Sequence, residues 1–258
     1  MELFWASITH EGQTWVAKQT TPQAYCPHTA LTHLIQGIYE KEPKRARSIL
    51  RNRIRMNYAP TALCRGMLKV AAKRYELVPE DAPPEGELVG APLAQLLCSP
   101  SAQLQSLAQA PELLNSLLPP RGPTRALSAR AVSAILLSSD LKVLAAARNS
   151  NAKERTRHAE LELVQGYFAQ HHSPIPAGAL LIVSLKPCRM CAAAIARAAE
   201  DIRTLKVLYL QDDPGPFARA TELERTGAQE LFSGSVNAAI SDACSAPFTS
   251  STQRMGEA

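Results

Sequence analysis

The second half of this 258-residue chain predicts an α/β fold, and the first half predicts a smaller α+β accessory region. Three observations carry that reading. Residues 179–185 are a nearly unbroken apolar run, the kind of strand that is buried on both faces of a sheet. Around them the pattern reads strand, helix, strand, helix, strand, which makes the later strands parallel and packs helices on the sheet. A proline-rich break, Pro119-Pro120-Arg121-Gly122-Pro123, sets this pattern off from what precedes it, so the regions are read as 1–120 and 121–258.

In chain order, residues 3–20 alternate around His10-Glu11-Gly12 and predict a hairpin of strands 3–9 and 14–19. Helices are expected over 29–39, 43–56 and 60–75, with Pro43 and Pro60 in first turns, where a missing N–H costs nothing. Residues 78–92, rich in Pro, Glu and Gly, read as a linker or long surface loop. Residues 93–118 read as two short helices broken near Pro100 and Pro111. Past the boundary, 131–137 and 142–147 predict a second hairpin across Ser139-Asp140. Leu161, Val164 and Phe168 recur at helical spacing and mark a helix over 159–171. A strand at 179–185, a helix of small residues at 190–199 and a strand at 205–210 follow. Residues 217–232 read as a last amphipathic helix weakened by Gly227, and 233–258 as a loose tail rich in Ser, Ala and Thr.

Hydrophobic residues make up 46% and charged residues 20%, which suits a globular protein and excludes wholesale disorder. The start lacks a basic, apolar leader and no run approaches the length of a membrane span, so a cytoplasmic protein with no membrane contact is expected. Cys26, Cys64, Cys98 and Cys244 lack the spacing of a disulfide scaffold and read as small buried hydrophobes. The formal charge of +5 is unevenly spread: Lys41, Lys44, Arg45, Arg47, Arg51, Arg53 and Arg55 stand against the single Glu42. That run is either a polyanion contact, with Arg47, Arg51 and Arg55 as its centre, or a solvated helix face.

The chemistry concentrates in His158-Ala159-Glu160 and Pro187-Cys188-Arg189-Met190-Cys191. One imidazole and two thiolates make a three-ligand set for Zn²⁺, and three protein ligands leave the fourth corner open, as catalytic rather than structural zinc sites do. Cys188 and Cys191 fall at a helix start with i,i+3 spacing, so both sulfurs point one way. Glu160, not needed as a ligand, can move protons as general acid and base. A thioredoxin-like dithiol is the rival for the cysteine pair alone. A closed structural site would need His171 or His172 as fourth ligand. Lys153, Arg155 and Arg157 crowd the loop before His158, where cations suit the phosphates of a nucleotide or of a strand.

HxE with PCxxC is the signature of the zinc-dependent cytidine deaminase-like superfamily, which residues 131–210 resemble. Residues 184–192, SLKPCRMCA, are similar to the branch containing deoxycytidylate, guanine and tRNA adenosine deaminases. The resemblance implies a three-layer α/β/α domain with a mixed sheet. It also implies a role for Asn149 in binding the sugar or base, and for Asp213 in a substrate-facing loop after the fourth strand. Lys186 departs from the family's usual Glu, only Arg254 is basic after Arg225, and a fifth strand is hard to see after Asp213. The expected activity is hydrolytic deamination of a nucleobase, cytosine to uracil in single-stranded DNA or RNA. The alternatives are a free nucleotide, nucleoside or base in salvage, or adenine in RNA.

Overall fold

The structure is a computed structural model and describes residues 2–20, 24–94, 96–97, 103–118, 131–150 and 154–232. β1 (Leu3–His10) and β2 (Gln13–Thr20) form the first hairpin. Its two-residue turn needs a left-handed backbone at both positions, met by Glu11 (φ 50°) and Gly12 (φ 78°). β1 also pairs with β3 (Ile54–Met56), followed outward by β4 (Tyr75–Leu77), while β5 (Glu87–Leu88) lies beside β2. Two helices pack with this sheet and begin at threonine caps. Thr29 caps α1 (Ala30–Lys41) in a reciprocal box with Thr32, and Thr61 caps α3 (Ala62–Ala71).

The helix expected over 43–56 is a correction. Only Ala46–Ile49 is helical (α2), because the Asn52 amide donates to the carbonyls of Ser48 and Ile49 and ends it. The chain then alternates, with Ile54 and Met56 buried and Arg53 and Arg55 pointing out, which is the period of a strand. The supposed linker likewise supplies β5, and the expected third helix ends at Ala71, with the last residue of its expected span, Tyr75, opening β4.

The second sheet has the order β10-β9-β8-β6-β7, from β6 (Ser133–Leu137), β7 (Val143–Arg148), β8 (Leu180–Leu185), β9 (Lys206–Gln211) and β10 (Gln229–Leu231). β8 is antiparallel to β6 and parallel to β9, so the apolar run is an internal strand of a mixed sheet. Successive residues serve opposite faces. Ala134, Leu136, Leu181, Val183 and Val207 meet the side of α5 (Ala159–His171) and α6 (Arg189–Ala198). Ile135, Leu137, Ile182 and Leu208 meet Leu104, Ala110 and Leu114, the last two from α4 (Ala110–Ser116). The arrangement is α/β/α.

Two further expectations change here. Pro111 does not break a helix but sits in the first turn of α4, where a proline is tolerated; the other proposed break, near Pro100, lies outside the described residues. Residues 217–232 are not one helix. The capping box of Thr221 and Glu224 starts α7 (Glu222–Thr226), and left-handed Gly227 (φ 68°) ends it, leaving Gln229–Leu231 to pair in parallel with β9 as a fifth strand. The tail 233–258, the break at 119–123, Lys153, Cys98, Cys244 and Arg254 lie outside the described residues. Residues 103–118 precede that break yet form the third layer of the second sheet, so a division at 120 would cut through this unit.

The two halves share a core. Residues of β1, α1 and α3 cluster with Leu161, Cys188, Met190 and Cys191. α3 meets α6 backbone to backbone at Gly66, where a Cβ would lie 2.5 Å from the Cα of Met190. Across α1 and α5, the Gln36 and Gln165 amides exchange hydrogen bonds of 3.1 and 3.3 Å. Gln165 also meets the Nδ1 of His28 at 3.3 Å, and His28 stacks on His33 at 5.0 Å.

Burial, with His33 and Arg157 nearby, lowers the His28 imidazole to about 3. A histidine kept neutral in the fold takes up its proton first in the unfolded chain, so stability is complete above about pH 6.5 and falls as pH drops toward 3. By pH 5 this amounts to about 2 kcal/mol from His28. Urea unfolding at pH 7.5 and pH 5 is expected to show that loss, and His28→Gln to remove it. An unchanged pH dependence in the variant would assign the loss to other groups.

Candidate metal centre

Antiparallel β6 lies between β7 and β8, so the carboxyl ends of β7, β8 and β9 share one edge of the sheet. That edge is where open α/β sheets bind ligands. Asn149 follows β7, His158 and Glu160 open α5, Cys188 and Cys191 open α6 after β8, and Asp213 follows β9. The topology thus gathers these six residues at one rim.

α1, α3 and α7 each begin with a threonine whose side chain caps the helix. α5 and α6 begin with His158 and Cys188, which make no such bond. Their side chains turn toward each other instead. The Nδ1 of His158 lies 3.7 Å from the sulfur of Cys188 and 3.5 Å from that of Cys191, and the sulfurs are 3.6 Å apart. Zinc bonds of about 2.3 Å to sulfur and 2.0–2.1 Å to nitrogen, at tetrahedral angles, require separations of about 3.5–3.8 Å. The donor triangle fits that ion. Both cysteines are buried and free of disulfides. Among the described residues this is the group of three or more metal-capable side chains whose donor atoms converge. His171 and His172 stand at the far end of α5, 13 residues or about 20 Å along the axis, and supply no fourth donor.

The electrostatics suit a cation. The Cys188 thiol is pulled well below its ordinary value by the hydrogen bond from Cys191 and by His158. Burial works to lower His158, but Cys188 outweighs it and holds the imidazole up at about 9. Burial pushes the Glu160 carboxyl up to about 7, with His158 opposing and Cys188 adding to the rise. Glu160 is 4% exposed and contacts the Cys191 sulfur.

A buried ionic network holds the loop that delivers His158. Arg157 bridges Glu154 (2.9 Å) and Glu162 (3.0 and 3.2 Å), Thr156 bonds Glu154, and Ser150 bonds Glu162. Arg157 is 9% exposed, so its guanidinium is committed to this network and does not project toward a strand. This network is invisible in the sequence, where Glu162 and Glu154 look like ordinary helix and loop carboxylates.

The other expected contacts are dispersed. Arg155 is exposed beside the site, and Arg47 and Arg51 are exposed on the first half. Arg55 pairs with Glu76 and Glu80, Arg53 with Glu76, Arg45 with Glu11 and Lys41 with Glu87, so the basic run is largely neutralised. The Oδ1 of Asn149 accepts from the Val132 N–H at 2.9 Å while its own N–H donates to the Val132 carbonyl, clamping β7 to the start of β6. Asp213 accepts from the Gly215 N–H at 3.0 Å and shapes the loop after β9. Lys186, the departure noted in the motif, reaches Asp212 at 3.2 Å and Glu224 at 3.0 Å and ties that loop to α7.

Residues 124–233 match the model of the Bd3614-like deaminase family. The match covers 110 of the chain's 258 residues, and it is this stretch that is similar to deaminases of the cytidine deaminase-like superfamily. Among solved structures, the chain is similar to a deaminase studied for A-to-I editing at the wobble position of transfer RNA, with 27% identity over 43% of this chain and 83% of that one and a TM-score of 0.34. It is also similar to the dCMP deaminase of cyanophage S-TIM5, with 22% identity over 39% of this chain and 80% of that one and a TM-score of 0.29. No curated protein matches the chain. The match stops short of β1 to β5, so the first half, which backs the candidate metal centre, lies outside the family model. Among the described residues no helix is long and apolar enough to cross a membrane.

Proposed function

We propose that the chain is a zinc-dependent hydrolytic deaminase of a nucleobase in single-stranded DNA or RNA, with cytosine to uracil as the first conversion to test. The observation that carries this reading is the zinc-sized triangle of His158, Cys188 and Cys191 with a buried acid, Glu160, against it. His158, Cys188 and Cys191 would hold the metal, which when bound supplies a water ionising near pH 7 rather than 15.7.

The residues of the chain do the rest. Glu160, poised near 7 by its burial, takes a proton and returns it at neutral pH, first to a ring nitrogen and then to the leaving amine. Water adds to the amidine-type carbon, the carbon–nitrogen bond breaks, and ammonia leaves. Cys191, Leu161 and the α3 side of the shared core close the back of the site against solvent. Asn149 and Asp213, on the loops after β7 and β9, would meet sugar or base, and the exposed Arg155 would meet phosphate.

Purified full-length protein is to be incubated with cytosine- and adenine-containing oligonucleotides and with free nucleosides and nucleotides. Bound zinc, ammonia release and base conversion by mass are then read. One zinc per chain and conversion within oligonucleotides are expected. Conversion of free nucleotides alone would replace the strand reading with a salvage one, and protein without stoichiometric zinc would overturn the mechanism.

A further inference from the structure

A cleft of about 210 Å³ opens where α3, the first turns of α6 and α7 meet, between the accessory half and the deaminase domain. Four cations line it, Arg65 and Lys69 from α3, Arg189 from α6 and Arg225 from α7, against the single acid Glu222. Glu222 is committed to Arg225 at 2.6 Å. Arg189 is aimed by its Nε, which donates to the Arg219 carbonyl at 2.7 Å, and Arg65 by a bond to the Pro60 carbonyl at 2.8 Å. Among the described residues no carboxylate pairs with Arg65, Lys69 or Arg189, in contrast to the neutralised cations at Lys41, Arg45, Arg53 and Arg55. The close approach of α3 to α6 at Gly66 leaves a floor of small side chains with long cations around the rim. Unmatched like charges gathered around one concavity raise its potential and attract an anion.

We propose that this cleft binds the phosphodiester backbone of the strand whose base enters the metal centre; the strand assignment rests on the deaminase reading above. Arg189 follows the ligand Cys188 directly, so the cleft wall and the metal centre share the first turn of α6. Arg65 and Lys69 are four residues apart on α3, roughly 6 Å between side-chain roots, and the third unmatched cation, Arg189, comes from α6, while Arg225 is held by Glu222. A single phosphate meets one or two such groups, whereas a chain of phosphates answers all of them, with guanidinium forks suited to each.

The test measures binding of fluorescein-labelled single-stranded oligonucleotides to the zinc-loaded full-length protein by anisotropy across a salt series. Arg65→Ala/Lys69→Ala is expected to raise Kd about tenfold at low salt and to lower the slope of log Kd against log salt by about 1.4. Arg203→Ala/Lys206→Ala removes the same charge at the opposite end of β9 and is expected to change neither. Equal melting temperature and zinc content identify a folded variant, and Arg65→Gln/Lys69→Gln serves if the alanine pair is unstable. Unchanged Kd and slope would overturn the cleft. A loss of mononucleotide binding as large as that of oligonucleotide binding would overturn the strand assignment. A flattened slope in a protein that converts no base would leave the cleft standing and remove the deaminase reading.

Discussion

Glu160→Gln is expected to cut the deamination rate by at least about 10²–10⁴-fold while leaving zinc content and folding near those of the parent. The substitution keeps shape and hydrogen-bonding reach but removes the only property the reaction asks of this side chain, the capacity to gain and lose a proton. Because Glu160 is 4% exposed, no bulk water or neighbouring side chain on the solvent face can substitute for it cheaply. Its carboxyl, pushed up to about 7, is among the groups of this chain suited to proton transfer at neutral pH. Single-turnover rates with a fixed oligonucleotide, read beside zinc by mass spectrometry, give the answer. Full activity in the variant would sink the assignment.

Arg157→Ala is expected to destabilise the protein by about 3–5 kcal/mol, because it removes the shared cation from between two buried carboxylates, Glu154 at 8% exposure and Glu162 at 3%. Burial already raises the Glu154 carboxyl against the pull of Thr156 and Arg157, and losing the guanidinium removes the compensation. The damage is expected to reach the metal, since residues 154–158 deliver His158 to the two sulfurs. Urea unfolding and zinc affinity are the measurements. Removing the two remaining charges with Glu154→Gln and Glu162→Gln in the same chain is expected to recover part of the stability. Arg155→Ala, exposed and two residues away, is expected to stay within about 0.5 kcal/mol of the parent. A soluble, fully stable Arg157→Ala protein with weakened oligonucleotide binding would instead favour a surface role for this arginine.

Much of the metal centre was legible because its information is local. The pairs His158/Glu160 and Cys188/Cys191 each lie within a single helix start, and helix geometry alone fixes how they point. The apolar strand β8 was equally plain, since burial on both faces leaves a continuous run. The errors fall where the deciding partner is remote. β3 reads as helix until β1 is placed beside it, and the two-versus-3.6 period is ambiguous over three residues. β10 follows a helix of five residues and reads as its continuation until β9 offers it a parallel neighbour.

By itself the sequence determined the candidate donor set, the acid beside it and the α/β character of the second half, because these depend on residue type and on spacing along one element. Only the tertiary structure decided which charges are available. Arg55 is neutralised by Glu80, 25 residues away, and Arg157 is drawn inside between two carboxylates, while Arg65 and Arg189 from opposite halves stand open to one cleft. Ion pairing acts through space and falls off with distance and screening, so a row of basic letters states a charge but not whether it is already spent.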